Sequence, residues 1–211
     1  MTRDPGESML REWLLRGFAL LVYGAFVVFI ARHWWADTSR HTLLLLLISE
    51  TLTVALVLFA RRAALRDASL VAVAATCLAL SIFLFFDYAN TLRILPEWAG
   101  VVLMSIAMAW QIFSKVTLGR SFGILPAARG LVTRGPYRFV RHPIYLGYLV
   151  GHLGFLLSNF SLYNLLLLAM LYVGQTVRML REEAVMRAGA RGAEYAAYCS
   201  TVRWRIVPYI F

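Results

Sequence analysis

The chain is poor in most of what soluble enzymes use for chemistry. Of its 211 residues only 11 are acidic, two are cysteine, and Lys115 is the single lysine. Cys77 sits in an apolar run and Cys199 in a basic tail. Two such residues give no disulfide framework and no zinc-type cluster. The four histidines are scattered: His33 and His41 read as an outer loop, His142 lies in an Arg-His-Pro run, and His152 lies inside an apolar stretch. No metal site is expected. There is no phosphate-cradling loop and no dinucleotide fingerprint after a strand. Nowhere do apolar and polar residues alternate with a strand's period of two. What survives is an all-α fold.

Apolar sequence is abundant. Hydrophobic residues make up 61% of the chain, against about 45–50% in an ordinary soluble domain. They gather in runs that approach the ~20 residues needed to cross a bilayer. The candidate spans are Leu14 to Ala31, Leu43 to Ala60, Ala68 to Phe86, Trp98 to Phe113, Ile144 to Leu157 and Leu162 to Arg181. The expectation is a polytopic membrane protein of about six transmembrane helices, forming one domain over residues 1–211. Residues 1–113 would be scaffold, and 114–211 a loop, a helical hairpin and a C-terminal cap. No small-residue cleavage site follows the first run, which therefore reads as a retained span.

The net charge is +10, nearly all of it arginine. The arginines sit at the ends of apolar runs, which fits an anionic leaflet rather than nucleic acid. With six spans, eighteen Arg and Lys residues fall on one side and only Arg32, Arg40 and Arg93 on the other. The positive-inside rule then puts both termini and the long loop from Ser114 to Arg141 in the cytoplasm.

Within the runs, Glu50 stands near the middle of the second span. An ionisable group at that depth is either functional or tied into an interhelical hydrogen bond. In the fifth span Gly147, Gly151 and Gly154 share one face, for close helix packing or for the approach of a ligand. That span covers only about 21 Å at the helical rise, short for a core of about 30 Å. Its His142 end therefore lies near the cytoplasmic headgroups. The sixth run continues as a charged helix with Gln175, Arg178 and Glu182 on one face. An aromatic and basic tail around Trp204 is suited to cover the cytoplasmic side.

A polar set thus surrounds the cytoplasmic end of the hairpin: Tyr137, Arg141, His142, Tyr145, Arg178, Glu182 and Glu183, with arginines of the preceding loop. Cationic donors and free loop amides suit a carboxylate, and Glu182 suits an ammonium. Together with aromatic walls they suit a zwitterionic, amino-acid-like cofactor. A purely topological arginine cluster is the rival explanation.

The residues that carry more are Gly119-Arg120-Ser121, the run LVTRGPYRFVRHPIYLG, an apolar hairpin, Arg178 followed by Glu182-Glu183, and GAEYAAY. Over about residues 118 to 208 this order resembles the integral membrane methyltransferases, the isoprenylcysteine carboxyl methyltransferases and phospholipid N-methyltransferases. The resemblance implies S-adenosylmethionine bound at the cytoplasmic face, S-adenosylhomocysteine as product, and a lipophilic or lipidated substrate entering from the bilayer. It maps cofactor contacts onto Arg129, Gly130, Leu131, Val132, Tyr137, His142, Pro143, Ile144, Tyr145 and Glu182. Position 129 is arginine where the carboxyl methyltransferases often carry histidine. Arg178 maps to the residue associated with the acceptor, and a carboxylate acceptor held bidentately by Arg178 is the expected class. An amine acceptor would need a proton taker, for which Glu183 is the candidate. The implied reaction is a displacement at a sulfonium methyl, helped by positioning and a dry site.

Phospholipid amines and small thiols stay open as acceptors. Two readings of other classes also stand: a nicotinamide-dependent membrane reductase and a non-enzymatic membrane protein. The sequence sets no oligomeric state.

Overall fold

The computed structural model describes residues 5–58, 65–66, 69–119, 127–128 and 131–211. Among the described residues seven helices carry the fold: α1 (Pro5–Ala36), α2 (His41–Leu58), α3 (Leu70–Ser81), α4 (Glu97–Leu118), α5 (Pro143–Ser158), α6 (Leu162–Ala188) and α7 (Gly192–Thr201). A 3₁₀ turn, Ile82–Leu84, continues α3, and a second one, Gly135–Arg138, precedes α5.

The boundaries follow local chemistry. Ser69 and Ser161 cap α3 and α6 by accepting from Ala72 N and Asn164 N, satisfying amides that have no partner within the helix. Pro143 opens α5, where its missing N–H is no loss. Gly119, at φ +58°, ends α4, a conformation that glycine adopts without strain. Each apolar run holds a helix among the described residues: α1, α4, α5 and α6 outrun their expected bounds, the third run is α-helical only over Leu70–Ser81, and Phe59, Ala60 and Ala68 lie outside the described residues. His33 and His41 are corrected from an outer loop to the last turn of α1 and the first residue of α2.

The helices pack mainly as α4 on α5, α3 on α6 and α1 on α2, with α2 also against α4 and α7 against the end of α6. The glycine row serves helix packing. A Cβ on Gly147 would stand 2.4 Å from Gln111 Cγ and 3.3 Å from the Ala107 carbonyl, and one on Gly154 would touch Met104 and Leu103. With no side chain between them, the two backbones approach closely, the packing used where lipid supplies no hydrophobic drive.

The main core includes Phe26, Ile30, Leu46, Phe83, Phe86, Phe155 and Leu171. Beside it lies a satisfied polar knot. Arg40 is buried and donates to the Tyr88 carbonyl and to Asn159 Oδ1. Asn159 donates to Thr42 Oγ1 at 3.2 Å, and Asn164 to the Asp87 carbonyl at 2.8 Å. Asp87 caps the turn after α3 by accepting from the Ala89 and Asn90 amides. Tyr88, by contrast, is fully buried.

Outward faces are apolar: Leu70, Val102, Ile106, Val116, Leu166 and Val173 are all exposed. Among the described residues two helices, α4 and α6, are long and apolar enough to cross a membrane, and α1, α2, α3 with its 3₁₀ turn, and α5 hold shorter apolar stretches. One detail departs from a purely helical expectation. Leu65–Arg66 (β1) and Ala127–Ala128 (β2) form a two-residue antiparallel pairing, too short to leave a periodic signature in sequence.

Candidate cofactor site

The polar residues converge where the start of α5, the charged end of α6 and the C-terminal tail meet. The loop before α5 is strapped to the tail by backbone bonds, Arg141 N to Trp204 O at 2.9 Å and His142 N to Arg205 O at 2.8 Å. On the α4 side, Trp110 Nε1 donates to the Pro143 carbonyl at 2.9 Å. The first turn of α5 is thereby held from two directions. Tyr145, one residue beyond Ile144, points at α6 and donates to Glu182 Oε1 at 2.9 Å.

Glu182 also faces the guanidinium of Arg178, whose Nε lies 3.4 Å from Oε1. This is the i, i+4 arrangement that the helix repeat provides. Oε2 has His142 Nδ1 at 4.0 Å. One turn before Arg178, Gln175 is buried, and its Oε1 has no hydrogen-bond donor among the described residues. A carboxylate and an unpaired amide oxygen on one helical face form a donor-seeking pair, the complement of an ammonium.

Glu183 has a different environment. It is 3% exposed and is surrounded by basic side chains. Arg141 Nη1 lies 3.0 Å from Oε1, Arg205 Nε 3.1 Å, His142 Nε2 3.3 Å, and Arg187 Nη2 3.6 Å from Oε2. Glu183 stands in the charged turns of α6 beyond the apolar run. Burial alone would raise its carboxyl. Hydrogen bonds from His142 and Arg205, with the charges of His142 and Arg141, outweigh burial and pull it down to about 2. A carboxylate so held is a poor proton acceptor. Through these contacts Glu183 ties the loop, α6 and the tail together.

The aromatic walls are present. Tyr137 is buried in the 3₁₀ turn and its carbonyl accepts from Tyr198 Oη at 2.7 Å. Burial, then the charge of Glu182, pushes its phenol well above the ordinary value, so Tyr137 stays protonated and lies within the field of Glu182. Ile144 is buried beside Tyr145. Leu131 packs on the Tyr195, Tyr198 and Val202 cluster of α7 and the following turn. Val132 is half-buried. Arg129 and Gly130 lie outside the described residues, as does Arg120.

His142, Tyr145, Arg178, Glu182 and Glu183 are therefore brought together, and Tyr137 joins them electrostatically. His142 is drawn between the two glutamates. Sequence reasoning missed Arg205. Its only signal was a basic residue in an aromatic tail, and nothing in the spacing tied it to Glu183.

Residues 98–189 match the family model for phospholipid methyltransferase. No curated protein matches the chain. The matched stretch begins at the start of α4, ends at the C-terminus of α6, and contains the Tyr145, Arg178 and Glu182 cluster. By this match the α4 to α6 segment is similar to the phospholipid methyltransferase family.

Proposed function

We propose that the protein is an S-adenosylmethionine-dependent methyltransferase acting on a lipophilic acceptor taken from the bilayer. The observation that carries this is the Glu182 carboxylate, fixed by Tyr145 and Arg178, with the Gln175 oxygen, which finds no donor among the described residues, two turns earlier on the same helix. That acceptor set fits the ammonium end of the cofactor. Its carboxylate end is assigned to backbone amides of the 129–132 stretch. Leu131, Val132, Tyr137 and Ile144 are assigned to the adenosine, with Pro143 fixing the start of the α5 wall. When bound, S-adenosylmethionine supplies a methyl group on a sulfonium.

The chain's own contribution is positioning and exclusion of water. Tyr145 and Arg178 hold Glu182 in one orientation. His142, Arg141 and Arg205 hold Glu183, and through it the tail closes over the site. A carboxylate acceptor would have to compete with Glu182 for the Arg178 guanidinium. We therefore assign Arg178 to positioning Glu182 and leave the acceptor defined by its lipophilicity.

The proposed setting is a single multi-pass domain of six spans, with both termini and the cofactor site on the cytoplasmic side. The arginine asymmetry and the apolar outward faces support it. Incubating the purified protein with methyl-labelled cofactor and a total membrane extract tests the reading. A labelled lipid-soluble product is expected. Label confined to hydrolysed cofactor would contradict it.

A further inference from the structure

The tail that straps the loop before α5 runs on into a turn that the cofactor reading leaves unused. Beyond the backbone bonds of Trp204 and Arg205, Ile206 is buried with Tyr145 and Met179, and Leu146, Leu149 and Val207 pack against that cluster. The chain therefore folds back along the flank of the hairpin, over the first turns of α5, where the apolar run begins. In the proposed setting that is the depth of the cytoplasmic headgroups.

At this depth Val207-Pro208-Tyr209-Ile210 forms a tight turn, with Ile210 N donating to the Val207 carbonyl at 3.2 Å. Its third residue, Tyr209, has φ +68° and is the one non-glycine residue with positive φ among those described. Glycine or asparagine is usual at that place in a turn, and a bulky side chain there is strained. The turn is nevertheless well fixed. Phe211 O accepts from the Arg205 and Ile206 amides at 2.9 Å and from the Val207 amide at 3.2 Å.

The effect of this strained turn is exposure. Tyr209 is 87% exposed and Ile210 80%, and Phe139 on the strapped loop is 66% exposed. The Trp204 and Tyr209 ring centres are 5.2 Å apart, an aromatic pair of the kind that gathers where a membrane meets water. On the two strapped segments Arg138 and Arg203 are exposed, and neither makes an ion pair among the described residues. A conformation that strains the backbone to hold two large apolar side chains outward is stabilised by what those side chains meet.

We propose that the Val207–Phe211 turn is a membrane-docking tip. Tyr209 and Ile210 enter the headgroup–acyl boundary of the cytoplasmic leaflet, and Arg138 and Arg203 meet the phosphates of anionic lipids. The proposal rests on the membrane setting given above and is independent of the cofactor.

The test is a nitroxide attached at Ile210→Cys in the full chain, reconstituted into phosphatidylcholine bilayers with and without phosphatidylglycerol. Its collision rates with oxygen, which concentrates in lipid, and with a water-soluble nickel chelate are read. The wild type carried through the same labelling gives the background of Cys77 and Cys199. Val173→Cys, exposed on the apolar part of α6, marks lipid, and Arg191→Cys, exposed in the turn after α6, marks water. Position 210 should favour oxygen as position 173 does, at a depth of about 5–10 Å into the boundary. It should lie deeper with the anionic lipid than without, and Arg138→Gln combined with Arg203→Gln should abolish that difference. Preference for the chelate at position 210, as at position 191, would overturn the proposal. So would shielding from both reagents, which would put a protein partner on the tip, or equal depth of the wild-type tip in the two bilayers. Preference for the chelate at position 173 would remove the membrane setting itself, and this proposal with it.

Discussion

Tyr145, in the first turn of α5, donates its phenolic hydrogen to Oε1 of Glu182, 2.9 Å away on α6. The same oxygen faces Arg178 Nε at 3.4 Å, so a carboxylate on a long, flexible side chain is fixed from two helices. Removing the hydroxyl alone isolates this effect. Tyr145→Phe should weaken S-adenosylhomocysteine about tenfold, in line with about 1.5 kcal/mol for a hydrogen bond to a charged group, with little change in melting temperature. Calorimetric titration of both proteins measures it.

Arg178→Ala separates positioning from acceptor recognition. If Arg178 acts through Glu182, the variant loses cofactor affinity and its methyl transfer falls by a similar factor for carboxylate, thiol and hydroxyl acceptors. Selective loss toward carboxylates alone would restore the acceptor role that the resemblance implies. Rates on a panel of acceptors, beside binding of S-adenosylhomocysteine, decide between the two.

Glu183 is a structural keystone on this account. Glu183→Gln leaves Arg141, Arg205 and His142 without their shared anion. Breaking a buried ion pair from one side costs about 3–5 kcal/mol. A large drop in melting temperature in detergent is expected.

The pH dependence of the same group has a defined sign. Its folded value, about 2, lies below the ordinary 4.5. Its stabilisation is therefore complete above about pH 4.5 and fades as the pH falls toward 2. The amount is about 3 kcal/mol by linkage. Melting curves across this window should fall for the wild type and lose this component in Glu183→Gln.

The α4–α5 contact predicts a contrast between two glycines. A Cβ at Gly147 would stand 2.4 Å from Gln111 Cγ, whereas one at Gly151 would find Ala107 Cβ at an ordinary 3.5 Å. Gly147→Val should destabilise by about 1–3 kcal/mol through overpacking. Gly151→Ala should be tolerated. Parallel thermal unfolding of the two variants checks this.

Much of the architecture was legible because apolar runs map directly onto helices, and Pro143 marks the start of α5, whereas the Ser69 and Ser161 caps emerge from the structure. The pairing of His142 and Tyr145 with Arg178 and Glu182 was legible because one hairpin joins them and its turn is short. Arg205 was not, since the tail must fold back over the loop before it reaches Glu183, and no repeat encodes that return. Arg40 and Lys115 were counted as charges that set topology. Both are buried and hydrogen-bonded inside the bundle, because their long side chains reach inward from helix ends. The two-residue pairing of β1 with β2 lies below any periodic signal.

The central claim is that Glu182, held by Tyr145 and Arg178, is the cofactor's anchor. Titrating the detergent-purified protein with S-adenosylhomocysteine tests it most directly. The account predicts saturable micromolar binding in the wild type and its loss in Glu182→Ala, with both proteins folded. Absence of binding in the wild type, or equal binding in Glu182→Ala, would contradict it.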